Sequence, residues 1–185
     1  VTVSGISKTG ADSGNYTITQ PTTTANITAK ALTVSGITAN NKEYDATTTA
    51  TLNLGTASLV GVIGGDTCTI VTTSVTGTFS DKNVASGKTV TVSGISKTGA
   101  DSGNYTITQP TTTANITAKA LTVSGVSAND KVYDDSNTAT LNTGSASFVG
   151  VISGDTCAID TASASGTFAD ENIGIGKTVT VSGIS

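Results

Sequence analysis

The segment Lys88-Thr-Val-Thr-Val-Ser-Gly-Ile95 alternates apolar and polar residues, which gives an extended chain one apolar and one wet face. That pattern is a half-buried strand. Working outward, the heptapeptide Val90-Thr-Val-Ser-Gly-Ile-Ser96 also stands at Val1–Ser7 and at Val179–Ser185, a period of 89 residues. Val1 to Gly36 is identical, residue for residue, to Val90 to Gly125. The chain is therefore a tandem array, and it starts and stops at the same phase, as a window cut from a longer array would. A unit this long exceeds the ~20–50 residues of a solenoid coil or an ankyrin repeat. It can just bury a core of its own, so separate small domains are expected.

Within one period, Ala31–Thr38, Thr49–Leu54, Ser58–Ile63, Cys68–Thr73, Val75–Phe79, Lys88–Ile95, Tyr105–Thr108 and Thr112–Thr117 read as strands. Turn-forming Asn, Asp and Gly residues lie between them, at Asn40, Asn41, Asp45, Gly64, Gly65, Asp66, Asp81, Asn83 and Gly99 to Asn104. Pro110 cannot donate to a ladder, so its strand is expected to lie at an edge or to break there. Seven or eight short strands in a unit of this size predict an all-β fold of tandem immunoglobulin-like antiparallel β-sandwich repeats with a period of 89 residues. The phasing gives 1–30 as the C-terminal part of one repeat, 31–119 as a complete repeat and 120–185 as the N-terminal part of the next. Lys30-Ala31 and Lys119-Ala120 join strands without a Gly, Pro or Ser spacer, which leaves little slack between neighbours. The two partial pieces could complete each other only across neighbouring molecules.

Thr, Ser, Gly, Val, Ile and Ala dominate, while Met, Trp, His and Arg are absent and aromatics reach only 4%. The core must then be built from small β-branched side chains, with Phe79 and Phe168 as its largest members and Cys68 and Cys157 as small ones. The two cysteines occupy equivalent positions in successive repeats, too far apart for the ~4.4–6.8 Å Cα separation of a disulfide.

The net charge is −4, and the nine positive charges are single, scattered Lys. Such a surface cannot track a phosphate backbone, so no nucleic acid partner is expected. No apolar run reaches the ~18–20 residues of a membrane span, so no membrane insertion is expected either. Without His, a nucleophile motif or a phosphate loop, the chain is expected to be no enzyme and to hold no cofactor.

Several short motifs recur in one order. They are Lys42-Glu-Tyr-Asp45, Gly64-Gly-Asp-Thr67, Gly77-Thr-Phe-Ser-Asp-Lys-Asn83, Gly87-Lys-Thr-Val-Thr-Val-Ser-Gly94 and Gly99-Ala-Asp-Ser-Gly-Asn-Tyr-Thr-Ile107. Their counterparts are Lys131-Val-Tyr-Asp134, Gly154-Asp-Thr156, Gly166-Thr-Phe-Ala-Asp-Glu-Asn172 and Gly176-Lys-Thr-Val-Thr-Val-Ser-Gly183. In these motifs the whole chain resembles the YDG repeats of large bacterial surface proteins, many of them similar to filamentous haemagglutinin. The resemblance implies a structural, stalk-like role outside the cell and brings no catalytic residues. The Gly of Tyr-Asp-Gly is replaced by Ala46 and Asp135. Asp tolerates a left-handed turn at that place, whereas Ala does not favour one.

Lys42, Tyr44 and Asp45, with Lys131, Tyr133 and Asp134, form the densest polar motif. An isopeptide cross-link would need such a Lys beside an Asn or Asp with a buried acid, but turn chemistry already explains the cluster. Asp12, Asp66, Asp81, Asp101, Asp155 and Asp170 could offer oxygen ligands to Ca²⁺. Their spacing lacks the D-x-[DN]-x-[DN]-G loop and Asx turns account for them, so no metal is expected. Asn15, Asn26, Asn104 and Asn115 head N-x-[ST] triplets, which arise by chance in so Thr-rich a chain. The leading expectation is a stiff spacer in a cell-surface adhesin or extracellular fibre. One alternative is a self-assembling filament, whose partners are neighbouring copies of the repeat joined head to tail by strand pairing. The other is a module that binds glycan or ice through Thr-rich faces.

Overall fold

β-Branched residues favour pleated backbone over helix, and the computed structural model, which describes residues 1–185, is all β apart from the 3-10 turns Ser13–Asn15 and Ser102–Asn104. No helix is long and apolar enough to cross a membrane. The strands of the 31–119 copy are β1 (Lys30–Ser35), β2 (Thr38–Ala39), β3 (Lys42–Glu43), β4 (Thr49–Ala50), β5 (Leu52–Asn53), β6 (Ser58–Val60), β7 (Thr69–Val71), β8 (Thr76–Phe79), β9 (Ala85–Ser93), β10 (Ser96–Thr98), β11 (Tyr105–Ile107) and β12 (Thr111–Thr117). The break between β11 and β12 falls beside Pro110, whose carbonyl still accepts from Val92 N at 3.1 Å.

The chain divides into two compact units. The first gathers Val1–Ile37, Asn53–Val75 and Val92–Pro110. In it β1 lies between β11 and β6, and β7 pairs with β10. Leu32, Val92, Ile95 and Tyr105 are its buried apolar residues. Tyr105 places its polar tip deliberately, because a buried hydroxyl needs partners: Oη donates to Asp66 Oδ2 at 2.5 Å and accepts from Ile63 N at 3.0 Å. Gln109 completes the local backbone, accepting from Ile95 N at 3.1 Å and donating to Ile95 O at 2.9 Å.

The second unit gathers Thr38–Leu52, Thr76–Thr91 and Thr111–Ser185. Its main sheet has the order β3-β12-β9-β8-β4. Ala50, Phe79, Val90, Ala114 and Ile116 form the core against that sheet, with Ala39, Tyr44 and Leu52 packed at its border. The period-2 rule puts Lys88 on the same inward face as Val90. Lys88 is indeed buried, and its ammonium reaches out to Asp81 Oδ1 at 2.7 Å. On the opposite face Thr89 and Thr91 are exposed and pair with the exposed Thr113 and Thr111.

Not every ladder is antiparallel, as the sequence reading expected. β1 runs parallel to β11, and β3 runs parallel to β12. Parallel neighbours need a long crossover, and the intervening strands of the copy supply one in each case.

The second copy contributes β13 (Thr122–Ser124), β14 (Ser127–Ala128), β15 (Thr138–Ala139), β16 (Leu141–Asn142), β17 (Ser147–Val149), β18 (Ser165–Phe168) and β19 (Val179–Ser182). Its registers repeat those of the first. Thr33↔Val60 returns as Thr122↔Val149, and Thr49↔Thr78 returns as Thr138↔Thr167.

Three of the four expected core residues sit less deeply than alternation suggested. Phe79 is 2% exposed, but Phe168 and Cys68 are only half-buried and Cys157 is exposed. Cys157 lies outside any strand. Of the strand that covers β7 in the first copy, residues 1–185 hold only the counterpart of Ser96, which is Ser185, bonded both ways to Asp160 at 2.6 and 3.1 Å. Both thiols are free.

The identical stretches give an internal control on what sequence alone can do. Val90, Tyr105 and Ile116 are 0%, 3% and 1% exposed, whereas their twins Val1, Tyr16 and Ile27 are 72%, 68% and 103% exposed. The same residues are core or surface according to which strands lie beside them.

Candidate functional site

The Lys-x-Tyr-Asp motif builds one turn twice. Asp45 Oδ1 accepts from Thr47 N at 2.9 Å and Thr47 Oγ1 at 2.8 Å, an Asx turn of the kind Asp favours. Lys42 Nζ closes it, donating to Asp45 Oδ1 and Thr47 O, each at 2.7 Å, while lying 5.5 Å from the centre of the Phe79 ring. Lys131 repeats this with Asp134 Oδ1 at 2.7 Å, Ser136 O at 2.6 Å and the Phe168 ring at 5.8 Å. The Lys42 ammonium and the Thr47 donors hold the Asp45 carboxyl down at about 2. Lys131 lowers Asp134 in the same way. Amide formation needs a neutral acid, so this geometry favours an ion pair over a cross-link.

The turn keeps its left-handed residue although Gly is gone: Ala46 has φ 61° and Asp135 φ 57°. A Cβ in that region costs about 1–2 kcal/mol. Ala46→Gly is therefore expected to raise stability by about 1 kcal/mol, since the greater freedom of Gly in the unfolded chain offsets part of the gain. Chemical unfolding of the two chains checks this; equal or lower stability in the Gly variant counts against strain at Ala46.

The two copies diverge at the tyrosine. Tyr133 is exposed and its hydroxyl donates to Asp135 Oδ1 at 3.0 Å. Tyr44 instead packs beside the core and donates to Asp155 Oδ2 of the second copy at 2.7 Å. Lys82 Nζ meets the other oxygen of Asp155 at 3.1 Å and lies 5.9 Å from the Tyr44 ring centre. The Tyr44 hydroxyl, then Lys82, hold the Asp155 carboxyl below its usual range; Asp155 in turn pushes Lys82 upward. Lys119, just past β12, adds an ion pair to Glu43 at 3.2 Å. Beside these contacts runs a groove of about 450 Å³, with Val84, Leu121, Val151 and Ile152 among its walls.

The aspartates considered as calcium ligands are mostly occupied by donors. Asp66 accepts from Tyr105, Asp101 from Thr67 N at 2.8 Å, and Asp155 from Tyr44 and Lys82. Asp81 and Asp170 each accept a backbone N–H, from Asn83 and Asn172, and each pairs with a lysine, Lys88 and Lys177. Asp12 precedes the Ser13–Asn15 turn without a side-chain cap bond. No three acidic or thiol side chains come together as a metal group would require. Asn115, first of an N-x-[ST] triplet, is half-buried and accepts from Gly87 N at 2.7 Å.

Lys82 and Asp155 were not legible as partners of Tyr44. The one trace in the sequence is that Lys82 becomes Glu171 in the second copy while the tyrosine is kept.

The family model for the YDG domain matches residues 28–114 and again residues 117–185. No curated protein and no solved structure matches the chain.

Proposed function

Because the chain belongs to the YDG domain family, we propose that it is a repeat segment of a bacterial cell-surface adhesin or extracellular fibre, working as a stiff spacer. Each repeat is read as an immunoglobulin-like sandwich, a reading supported by short strands whose buried and exposed residues alternate, as in β9. The observation that carries the spacer reading is the contact of Tyr44 and Lys82 with Asp155 across the boundary between copies. A flexible tether needs no such bonds, and a link of only Ala118–Leu121 between β12 and β13 leaves little slack.

Tyr44→Phe tests it, because the ring stays against the core while the bond to Asp155 is lost. Spin labels at the exposed Thr78 and Thr167, one in each copy, report the spread of distances between copies. A narrow distribution is expected in the parent chain and a broader one in Tyr44→Phe. A broad distribution in the parent, or a narrow one in both, rejects the spacer reading.

A further inference from the structure

We propose that Asn104 is an acceptor for N-linked sugar, held outward by a turn whose packing selects it over the other acceptor triplet of the complete copy. Chance accounts for N-x-[ST] in so Thr-rich a chain, but not for which triplet the fold presents. A transferase must reach the amide of the Asn and the hydroxyl two residues on together. The two triplets of the complete copy differ on that requirement.

Asn104 ends the 3-10 turn Ser102–Asn104, and Tyr105 after it is extended, with φ −126° and ψ 156°. Extended backbone sends residues i and i+2 to one side and the residue between them to the other. Tyr105 goes inward, where it is 3% exposed and its hydroxyl is held by Asp66 and Ile63 N. Asn104 and Thr106 are left together on the outer side, and both are exposed. The turn is fixed by other groups: Lys97 Nζ donates to Ser102 O at 2.7 Å, Thr67 N to Asp101 Oδ2 at 2.8 Å, and Asn104 N to Asp101 O at 3.0 Å. None of these bonds uses the Asn104 side chain, so a sugar on it displaces none of them.

Asn115-Ile116-Thr117 lies instead within β12. Asn115 is half-buried, its Oδ1 accepts from Gly87 N at 2.7 Å, and its own N donates to Asn41 Oδ1 at 2.7 Å. Ile116 beside it is 1% exposed in the core. Presenting this triplet to an enzyme means lifting β12 from its sheet and drawing Ile116 out.

The donor is a nucleotide-activated sugar. A bond forms between the anomeric carbon and Asn104 Nδ2, and the bond from that carbon to the nucleoside diphosphate breaks. The diphosphate leaves with the electron pair, and the amide gives one proton to the transferase.

Cleavage after Glu43 and Glu171 makes the test specific, because Tyr44–Glu171 holds Asn104 and Asn115 but neither Asn15 nor Asn26. In the chain purified from the organism that makes it, that fragment is expected to carry sugar on Asn104. The folded recombinant chain, given glucose on a nucleoside diphosphate and an asparagine glucosyltransferase, is expected to take one hexose at Asn104 and at least ~10-fold less at Asn115, whose strand must first open. The excised peptide Thr98–Lys119 is expected to be filled at both, which assigns the difference to the fold. Thr106→Ala is expected to abolish the sugar at Asn104. A natural fragment bare at Asn104, a folded chain that takes no hexose there, or equal filling of the two asparagines in the folded chain overturns the proposal. So does sugar that persists on Asn104 in Thr106→Ala.

Discussion

Phe79→Ala is expected to cost about 3–5 kcal/mol, the range for truncating a closed-in aromatic residue. Phe79 is 2% exposed and touches a core made otherwise of Ala, Val and Ile, which cannot collapse far into the hole. The ring also carries the Lys42 ammonium above it, so its loss loosens the Asp45 turn as well. Small domains hold only about 5–15 kcal/mol in total, and one substitution therefore removes much of the stability of the complete copy. Phe168→Ala is the matched comparison, at the equivalent position after the same Gly-Thr pair but with a half-buried ring. Its cost should be much smaller. Urea unfolding followed by tyrosine fluorescence separates the two, and equal, small losses at both positions would show that the core does not rest on Phe79.

Gly94→Ala is expected to cost about 3 kcal/mol or more, from left-handed strain plus a clash with backbone. Gly94 has φ +83°, and a Cβ there would stand 2.3 Å from Ser74 O. A carbonyl cannot swing away as a side-chain tip can, so the turn that carries Ser74 must shift. The same arrangement recurs at Gly36 against Thr56 O (1.9 Å), at Gly125 against Ser145 O (2.0 Å) and at Gly183 against Ser163 O (2.1 Å). Two controls isolate the clash. Gly87 has φ +63° with open space around it, so Gly87→Ala should show strain alone, about 1–2 kcal/mol. Gly5 sits in the same sequence as Gly94 with φ +80° and nothing within 4 Å, and its substitution should likewise show strain without a clash, a smaller loss than Gly94→Ala. If Gly94→Ala melts with Gly87→Ala, the close approach to Ser74 has no energetic weight.

Those glycines also mark where sequence reading stopped short. Alternation in Lys88–Ile95 marked the strand whose observed bounds are Ala85–Ser93 and turned Val90 and Val92 inward, because period-2 geometry is local, whereas the burial of Lys88 on the same face was not foreseen. It could not see that Gly94 ends the run with a left-handed kink against a distant turn. The Asp45 and Asp134 turns were readable because an Asx turn is closed by residues two positions away. Tyr44 with Asp155 was not, since 111 residues separate them and nothing in either neighbourhood names the other. The exposure of Cys157 and the half-burial of Phe168 were likewise beyond local pattern. Both depend on which strands lie alongside, as Ile27 and Ile116 demonstrate with one sequence in two settings.

The parallel pairing of β3 with β12 has a mechanical consequence. β3 lies near the start of the complete copy and β12 at its end, and they run side by side in the same direction. A pull that draws the chain out at both ends slides the two strands along each other. Their bonds then share the load, whereas a hairpin pulled from its open end parts one rung at a time. β1 and β11 have the same geometry. Tension along the chain thus meets each of these ladders lengthwise, the direction in which a short sheet yields last.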